Sequence, residues 1–276
     1  MRMNRKLSLG ILSDEISPDF TEALRYAKLW DIPLFEIRCL RSGRVPDISR
    51  EEFDEMKKSV ANGDIRITAL TPGVFKTSLA DREKIGSELT DVLPRTIRQA
   101  QELGADTVII FGFRKLENEP ERNFQHAVDV IGKAAVLAGK EGVTLAVENE
   151  PKHWCDSGGN TAKLVKAINS KYLKANWDVC NALGTGEIPF PDGYNALKEF
   201  IINIHVKDTV SNSLISCVPV GEGVIDWRGQ IAALIEDGIV GHITIETHCL
   251  PLIERTKLNI DTLRKYIDET SSRQKP

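Results

Sequence analysis

The sequence predicts one (β/α)8 barrel, and three observations lead to that fold class. Short β-rich apolar runs alternate with longer amphipathic stretches, a pattern typical of parallel strands joined by right-handed crossovers. Eight such strand runs can be counted, the number that closes a barrel. A length of 276 residues with 41% hydrophobic content is enough for a large core. We therefore expect residues 1 to 276 to form a single domain.

Each element is predicted from its own pattern, in chain order. The strands are short β-rich runs: Leu7–Leu12, Leu34–Arg38, Ile65–Thr71, Thr107–Phe111, Thr144–Glu148, Lys174–Asp178, Ile201–Lys207 and His242–Thr247. The helices are the amphipathic stretches between them: Asp19–Trp30, Arg50–Val60, Leu93–Leu103, Pro120–Ala138, Thr161–Ile168 and Trp227–Glu236. The polar end, Ser271 to Pro276, is expected to be a disordered tail.

An open, doubly wound sheet is the alternative, because strand order cannot be read from one sequence. The segment after the first strand, Ser13 to Pro18, contains none of the glycines of a dinucleotide-binding turn, which disfavours a Rossmann domain. No linker, repeat or low-complexity tract divides the chain. The barrel is therefore favoured.

Composition excludes several classes of function. The net charge of -4 lacks the basic excess that binding to a phosphate backbone needs, so nucleic acid is not an expected partner. The sequence has no signal region and no apolar stretch of membrane-spanning length, so we expect a cytoplasmic protein without a membrane partner. Its five cysteines are scattered and odd in number, and we expect reduced thiols rather than disulfides. A homo-oligomer remains possible.

Strand periodicity points to one end of the barrel. Because side chains alternate along a strand, residues of one parity face the barrel interior. In the last four strands the interior parity becomes polar towards the C-terminal end. The strand ends of a parallel barrel form one face, where barrel enzymes place their sites. We therefore expect the functional site at this mouth.

The inward set contains three carboxylates and one imidazole, one from each of these strands: Glu148, Asp178, His205 and Glu246. Three carboxylates at one mouth repel one another, and a divalent cation would compensate them. Mainly oxygen ligands with a single histidine favour manganese, magnesium or cobalt ahead of a closed tetrahedral zinc site. The alternative is that each strand end is polar only because a loop begins there. Glu150 has the same parity, but Pro151 directs the chain away from the sheet.

Five motifs resemble a known family. They are "AVEN", "NWDVCNALGTGE", "NIHVKD", "PVGEGVIDW" and "HITIETH", and together they are similar to the xylose-isomerase-like barrel superfamily of sugar isomerases and epimerases. The resemblance covers nearly the whole chain and is densest from about Leu145 to His248. It implies one divalent metal ion bound by Glu148, Asp178, His205 and Glu246, the four residues that strand parity also indicates. Manganese is favoured, and magnesium, cobalt and zinc are alternatives.

The resemblance also implies a reaction on a small carbohydrate-like molecule. In related ketose epimerases the two glutamates among the ligands move a proton at the carbon next to a carbonyl, while the metal stabilises the enediolate. Glu148 and Glu246 are therefore the catalytic candidates, with ligation alone as the alternative. We expect an isomerase or epimerase of a keto-sugar. A dehydratase or lyase acting on a keto-sugar or keto-inositol, and a non-catalytic sugar-binding subunit, remain alternatives.

Six further residues are candidates for binding substrate. They are His248, Lys207, Asn181, Glu36, Arg38 and Trp154. Lys207 could instead pair with Asp208 or Glu246, and Glu36 with Arg38. Trp154 could form an apolar wall for a sugar or simply pack on its own loop. Asn181 stands where several sugar epimerases carry a histidine. The multinuclear endonuclease branch of the superfamily needs more metal-binding histidines than this sequence can place at the mouth.

Overall fold

The computed structural model describes residues 7–211 and 216–273, and the barrel strands close upon themselves. Eight parallel strands follow one another around the barrel in chain order, so the predicted (β/α)8 fold is confirmed. The strands are β1 Ser8–Leu12, β2 Leu34–Ile37, β3 Arg66–Leu70, β4 Thr107–Phe111, β5 Thr144–Glu148, β6 Leu173–Asp178, β7 Ile201–Val206 and β8 His242–Ile245. Two short ribbons lie outside the barrel, Cys39–Leu40 with Gly43–Arg44 and Asp208–Thr209 with Cys217–Val218.

Helices surround the barrel, and several begin at side-chain caps. They are α1 Phe20–Leu29, α2 Arg50–Ala61, α3 Arg82–Ser87, α4 Leu93–Glu102, α5 Phe124–Lys140, α6 Gly158–Ile168, α7 Tyr194–Leu197, α8 Trp227–Asp237 and α9 Leu252–Arg273. The carboxylate of Asp19 accepts a hydrogen bond from the N–H of Glu22 at the start of α1, and Asp226 does the same for Gly229 in α8. Such caps satisfy N–H groups that the first helical turn leaves free.

Three helices, α3, α7 and α9, have no counterpart among the predicted helical stretches. The stretch before α4 is helical from Arg82 onward, because a π-helical segment, Glu88–Val92, joins α3 to α4. The predicted disordered tail is wrong for its first residues, since α9 continues to Arg273. The hydroxyls of Ser271 and Ser272 donate to backbone carbonyls four residues earlier, a local contact that serine can make within a helix. Residues 274–276 lie outside the described residues.

The register of β5 to β8 brings their C-terminal ends together. Glu148 is level with Asn176 on the next strand, and Asp178 is level with His205. The apolar core includes the fully buried side chains of Ile11, Val147 and Trp177. In the described part of the chain, no helix has the length and apolar character that crossing a membrane requires. None of the five cysteines forms a disulfide.

Candidate metal and acid–base site

The four predicted metal ligands come together at the mouth of the barrel. One donor atom from each of Glu148, Asp178, His205 and Glu246 can be chosen so that all four lie within 4.8 Å of one another, and all four residues are buried. Each lies within one residue of a strand end, and their proximity is what the parity argument predicts. The site is thus assembled from four adjacent strands rather than from one loop.

The imidazole of His205 is held in one orientation by Glu36. Both carboxylate oxygens of Glu36 lie 3.0 Å from His205 Nε2. With its proton on Nε2, the ring turns Nδ1 towards Glu148 Oε2 and Glu246 Oε2, each 3.4 Å away. Burial alone would lower the pKa of His205, but the neighbouring carboxylates raise this pKa well above its usual value. A carboxylate behind a histidine is a common way of orienting a metal ligand.

Glu148 is surrounded by neutral amides. Asn176 Nδ2 donates to its Oε2 at 3.1 Å, and Asn181 Nδ2 donates to its Oε1 at 3.3 Å. Burial would raise the pKa of Glu148, but His205 brings it below the usual value. The side chain is therefore an ionised carboxylate whose oxygens accept only from uncharged donors, apart from the imidazole.

Asp178 is fixed through its own backbone. The side chain of Asn149 forms two hydrogen bonds with the backbone of Asp178. Its Oδ1 accepts from the N–H at 2.8 Å, and its Nδ2 donates to the carbonyl oxygen at 2.7 Å. The N–H of Asn181 donates to Asp178 Oδ1 at 2.9 Å. Burial raises the pKa of Asp178 to about 6, in spite of the Lys207 ammonium, whose Nζ lies 2.7 Å from Oδ2.

Glu246 lies among cations. Arg38 Nη1 donates to its Oε1 at 2.6 Å, and Lys207 Nζ donates to its Oε2 at 3.0 Å. Burial would raise the pKa of Glu246, but Lys207 and His248 bring it well below the usual value. The two candidate catalytic glutamates therefore have different environments, one of neutral amides and one of positive charges.

Arg38 and His248 connect the site to the end of β1. Arg38 Nη2 donates to Glu15 Oε1 at 2.7 Å, and its Nε donates to Asp14 Oδ2 at 2.9 Å. His248 Nδ1 lies 2.6 Å from the same Glu15 oxygen. Sequence reasoning assigned no role to Asp14 or Glu15. The rule applied to the last four strands, acidic residues just after a strand end, would have found them.

A cavity of about 80 Å³ opens onto this cluster. Four of the six predicted substrate-binding residues line it, namely Arg38, Asn181, Lys207 and His248. Glu36 does not line it, because its carboxylate is engaged with His205, Thr71 and Asn203 below the cavity. The suggested pairing of Glu36 with Arg38 is wrong, since Arg38 turns towards β1 instead. Arg44 and Lys76, which sequence reasoning did not select, also line the cavity.

Trp154 lies away from the cavity. Its side chain is buried, with Phe124 at 6.0 Å between ring centroids and Lys115 Nζ 4.3 Å from the ring. The packing alternative is therefore the one that the structure favours. The N–H groups of the glycine turn at 221–223 already have an acceptor within the chain. Those of Gly221 and Gly223 donate to the carboxylate of Asp208.

The donor set fits a divalent cation. Three carboxylates and one imidazole nitrogen suit a hard or borderline ion. Buried carboxylates that face one another are costly unless a cation compensates them, and the Asn149 and Glu36 contacts hold two of the ligands in place before any ion arrives. The cluster is therefore suited to a metal centre.

Fold and site together define a single-domain barrel with a carboxylate and histidine centre at the C-terminal ends of its strands. The chain belongs to the xylose isomerase-like TIM barrel family, whose model matches residues 24–266. The family resemblance predicted from the sequence motifs is thereby confirmed.

Individual relatives are distant but cover most of the chain. The L-ribulose-5-phosphate 3-epimerase UlaE of Shigella boydii serotype 18 is 22% identical over 256 residues, which is 88% of this chain and 88% of the relative. The crystal structure of the IOLI protein with a bound zinc atom has a TM-score of 0.78 at 17% identity, covering 97% of this chain and 99% of that one. The probable 3-DHS dehydratase AsbF of Bacillus anthracis has a TM-score of 0.77 at 16% identity, covering 94% and 98%. The prediction of a sugar isomerase- or epimerase-like enzyme agrees with the name of the curated relative.

Proposed function

We propose that the protein is a divalent-metal-dependent epimerase or isomerase of a small keto-sugar or related polyhydroxylated carbonyl compound. The observation that carries the proposal is the approach of Glu148 and Glu246 to the same atom, His205 Nδ1, at 3.4 Å each. These glutamates come from β5 and from the end of β8, three strands apart in the barrel. Two ionised carboxylates can therefore reach one bound molecule from different directions.

The chemistry of the site follows from this arrangement. A divalent ion on Glu148, Asp178, His205 and Glu246 would supply Lewis-acid stabilisation for negative charge that develops on a carbonyl oxygen, with manganese favoured by the oxygen-rich donor set. The chain itself provides the proton transfers. Glu148, among neutral amides, is the better base, whereas Glu246, whose pKa lies well below the usual value among cations, is the better proton donor once protonated.

Residues around the cavity are suited to a polyhydroxylated molecule. Asn181 is buried at the cavity wall, and its Oδ1 accepts no hydrogen bond from the described residues, so it can accept one from a substrate hydroxyl. The side chain of His248 is 35% exposed and can donate a hydrogen bond from Nε2 to a substrate oxygen at the rim. Lys207 and Arg38 are engaged with carboxylates, and we assign them to charge compensation ahead of direct contact with substrate. The name of the UlaE relative supports a ketose phosphate or a similar compound.

Deuterium exchange tests the proposal directly. The manganese- or cobalt-loaded protein is incubated in deuterated water with ketoses, ketose phosphates, keto-acids and keto-inositols, and the products are followed by NMR. Incorporation of deuterium next to the carbonyl without loss of atoms indicates epimerisation or isomerisation. Loss of water or of another group indicates the dehydratase or lyase alternative. Protein that holds metal but neither turns over nor exchanges any compound would favour the sugar-binding subunit.

Replacement of each glutamate separates proton transfer from ligation. Glu148→Gln and Glu246→Gln both keep an oxygen that can bind metal but remove the basic carboxylate. At saturating metal we expect turnover to fall by the ~10²–10⁴-fold typical of a lost general acid or base. With a single epimer as substrate, one variant should lose deuterium exchange while the other retains it, and the opposite epimer should reverse this order. Near-normal turnover in both variants would show that the glutamates are ligands only.

A further inference from the structure

A second cluster of donor atoms adjoins the proposed metal centre. Donor atoms of Glu15, Glu246 and His248 lie within 4.8 Å of one another. Asp14 approaches the same place, since its Oδ2 is bound to the arginine that also binds Glu15 and Glu246. Two carboxylates and one histidine thus form a second donor set, and Glu246 belongs to both. By composition alone, the mouth could hold two metal ions.

The second cluster already contains a cation. The guanidinium of Arg38 reaches all three carboxylates with a different nitrogen for each, at 2.9 Å to Asp14, 2.7 Å to Glu15 and 2.6 Å to Glu246. Its side chain is only 16% exposed. A guanidinium does not lose its charge in proteins, and its planar set of donors matches several carboxylates at once. Arg38 therefore fills the position where these three carboxylates converge.

We propose that Arg38 is a positioning residue that takes the place of a second metal ion and restricts the centre to one divalent ion per chain. This inference rests on the metal centre of the proposed function. By holding Glu246 Oε1, Arg38 leaves Glu246 Oε2 directed at the first cluster, where it lies 3.4 Å from His205 Nδ1. The same contact gives Glu246 one oxygen for the metal and fixes the carboxylate for proton transfer.

Lys207 does not exclude the first ion in the same way. Its Nζ contacts Asp178 and Glu246, but the remaining two donors of the first cluster, Glu148 and His205, are held by other partners. An ammonium on a flexible stem is also a single point charge that can move aside, whereas the arginine fork binds three carboxylates in fixed directions. The first cluster can thus accept an ion while the second stays filled.

Removal of the guanidinium should convert the second cluster into a metal site. Glu15, which is buried, and Asp14, whose side chain is 12% exposed, would then lose the guanidinium that pairs with both, a costly arrangement that a divalent ion relieves. His248 is already in place, with Nδ1 2.6 Å from Glu15 Oε1 and Nε2 3.4 Å from Glu246 Oε1. Its partial exposure gives an ion access from solvent.

The experiment counts metal ions. Wild-type protein, Arg38→Gln and Arg38→Lys are dialysed against excess Co²⁺ or Mn²⁺, and metal per chain is measured by elemental analysis and by calorimetric titration. We expect one ion in wild type, two in Arg38→Gln, and one in Arg38→Lys, where a cation is retained. In the manganese form of Arg38→Gln, electron paramagnetic resonance should show two interacting ions, because Glu246 is shared. Adding Glu15→Ala to Arg38→Gln removes this donor altogether and should return the count to one.

The folding of Arg38→Gln needs its own control, because the substitution leaves buried charges unpaired. The double variant Arg38→Gln/Asp14→Asn carries one carboxylate fewer but keeps Glu15, Glu246 and His248, and it should also bind two ions. Two ions in the wild type, or one ion in both folded variants, would overturn the inference. A folded wild type that binds no metal would contradict the metal centre itself, a result distinct from either of these.

Discussion

Replacement of Glu36 by Gln should weaken metal binding without touching a ligand. Glu36 holds the Nε2 side of His205 through two contacts of 3.0 Å, and Gln removes the charge that favours this proton position. A hydrogen bond to a charged group contributes ~1.5–3 kcal/mol. Since each ~1.4 kcal/mol is tenfold in affinity, we expect the dissociation constant for Co²⁺ or Mn²⁺ to rise by roughly 10–100-fold. This range also agrees with the effect of partners that orient metal-ligating histidines.

Competition with a chromophoric chelator measures the affinity, and circular dichroism confirms the fold. Thr71→Val is the matched control, because Thr71 Oγ1 donates to Glu36 at 2.6 Å but has no hydrogen bond to the imidazole. It should change the dissociation constant by less than about threefold, which is under ~0.7 kcal/mol. The reasoning is refuted if Glu36→Gln binds metal as tightly as wild type. It is also refuted if Thr71→Val weakens binding equally, since the loss would then reflect general disturbance below the site.

Two further predictions concern stability, measured by urea denaturation. Burial lowers the pKa of His153 from 6.5 to about 4. Between these two pH values the unfolded chain binds a proton that the folded chain does not, so the free energy of unfolding decreases as the pH falls. Between pH 7 and pH 5 the free energy of unfolding of the wild type should decrease by about 2 kcal/mol more than that of His153→Gln. Parallel dependence of the two unfolding free energies on pH would contradict this. Gly158→Ala should destabilise by ~1–3 kcal/mol or more, because its Cβ would lie 2.2 Å from the Gly193 carbonyl oxygen. Gly86→Ala, with nothing within 4 Å, should instead stabilise by up to ~1 kcal/mol, and equal effects would argue against the close contact.

The sequence predicted those parts of the site that depend on strand periodicity. Glu148, Asp178, His205 and Glu246 come together because side chains alternate along strands and parallel strands end at one face. Helix ends were less predictable. The last turn of α9 is polar at Ser271 and Ser272 and is typical of a tail, yet the helix continues through it and the serine hydroxyls bond to its backbone.

Contacts between distant segments could not be read from one sequence. Arg38 is long enough to reach Asp14 and Glu15 on the neighbouring strand end, and periodicity does not distinguish that partner from Glu36. Asn149 has outward parity, so periodicity does not place it at the site. Its amide nevertheless forms two hydrogen bonds with the backbone of Asp178, which depend on the register of β5 and β6. Trp154 follows a loop whose path depends on packing against α5, so its distance from the cavity appears only in three dimensions.

The loop around Asp208 has a kinetic consequence. Its carboxylate accepts hydrogen bonds from the N–H groups of Gly221, Gly223, Ile225 and Thr209, so the turn after the second ribbon is organised by the chain's own anion. Trp227 Nε1 ties the start of α8 to the carbonyl of Lys207. Opening of this turn requires loss of several hydrogen bonds to one carboxylate, so it should be rare. Loosening the turn through Asp208→Ala should appear as faster amide hydrogen exchange at Gly221, Gly223 and Ile225, whose N–H groups lose their acceptor.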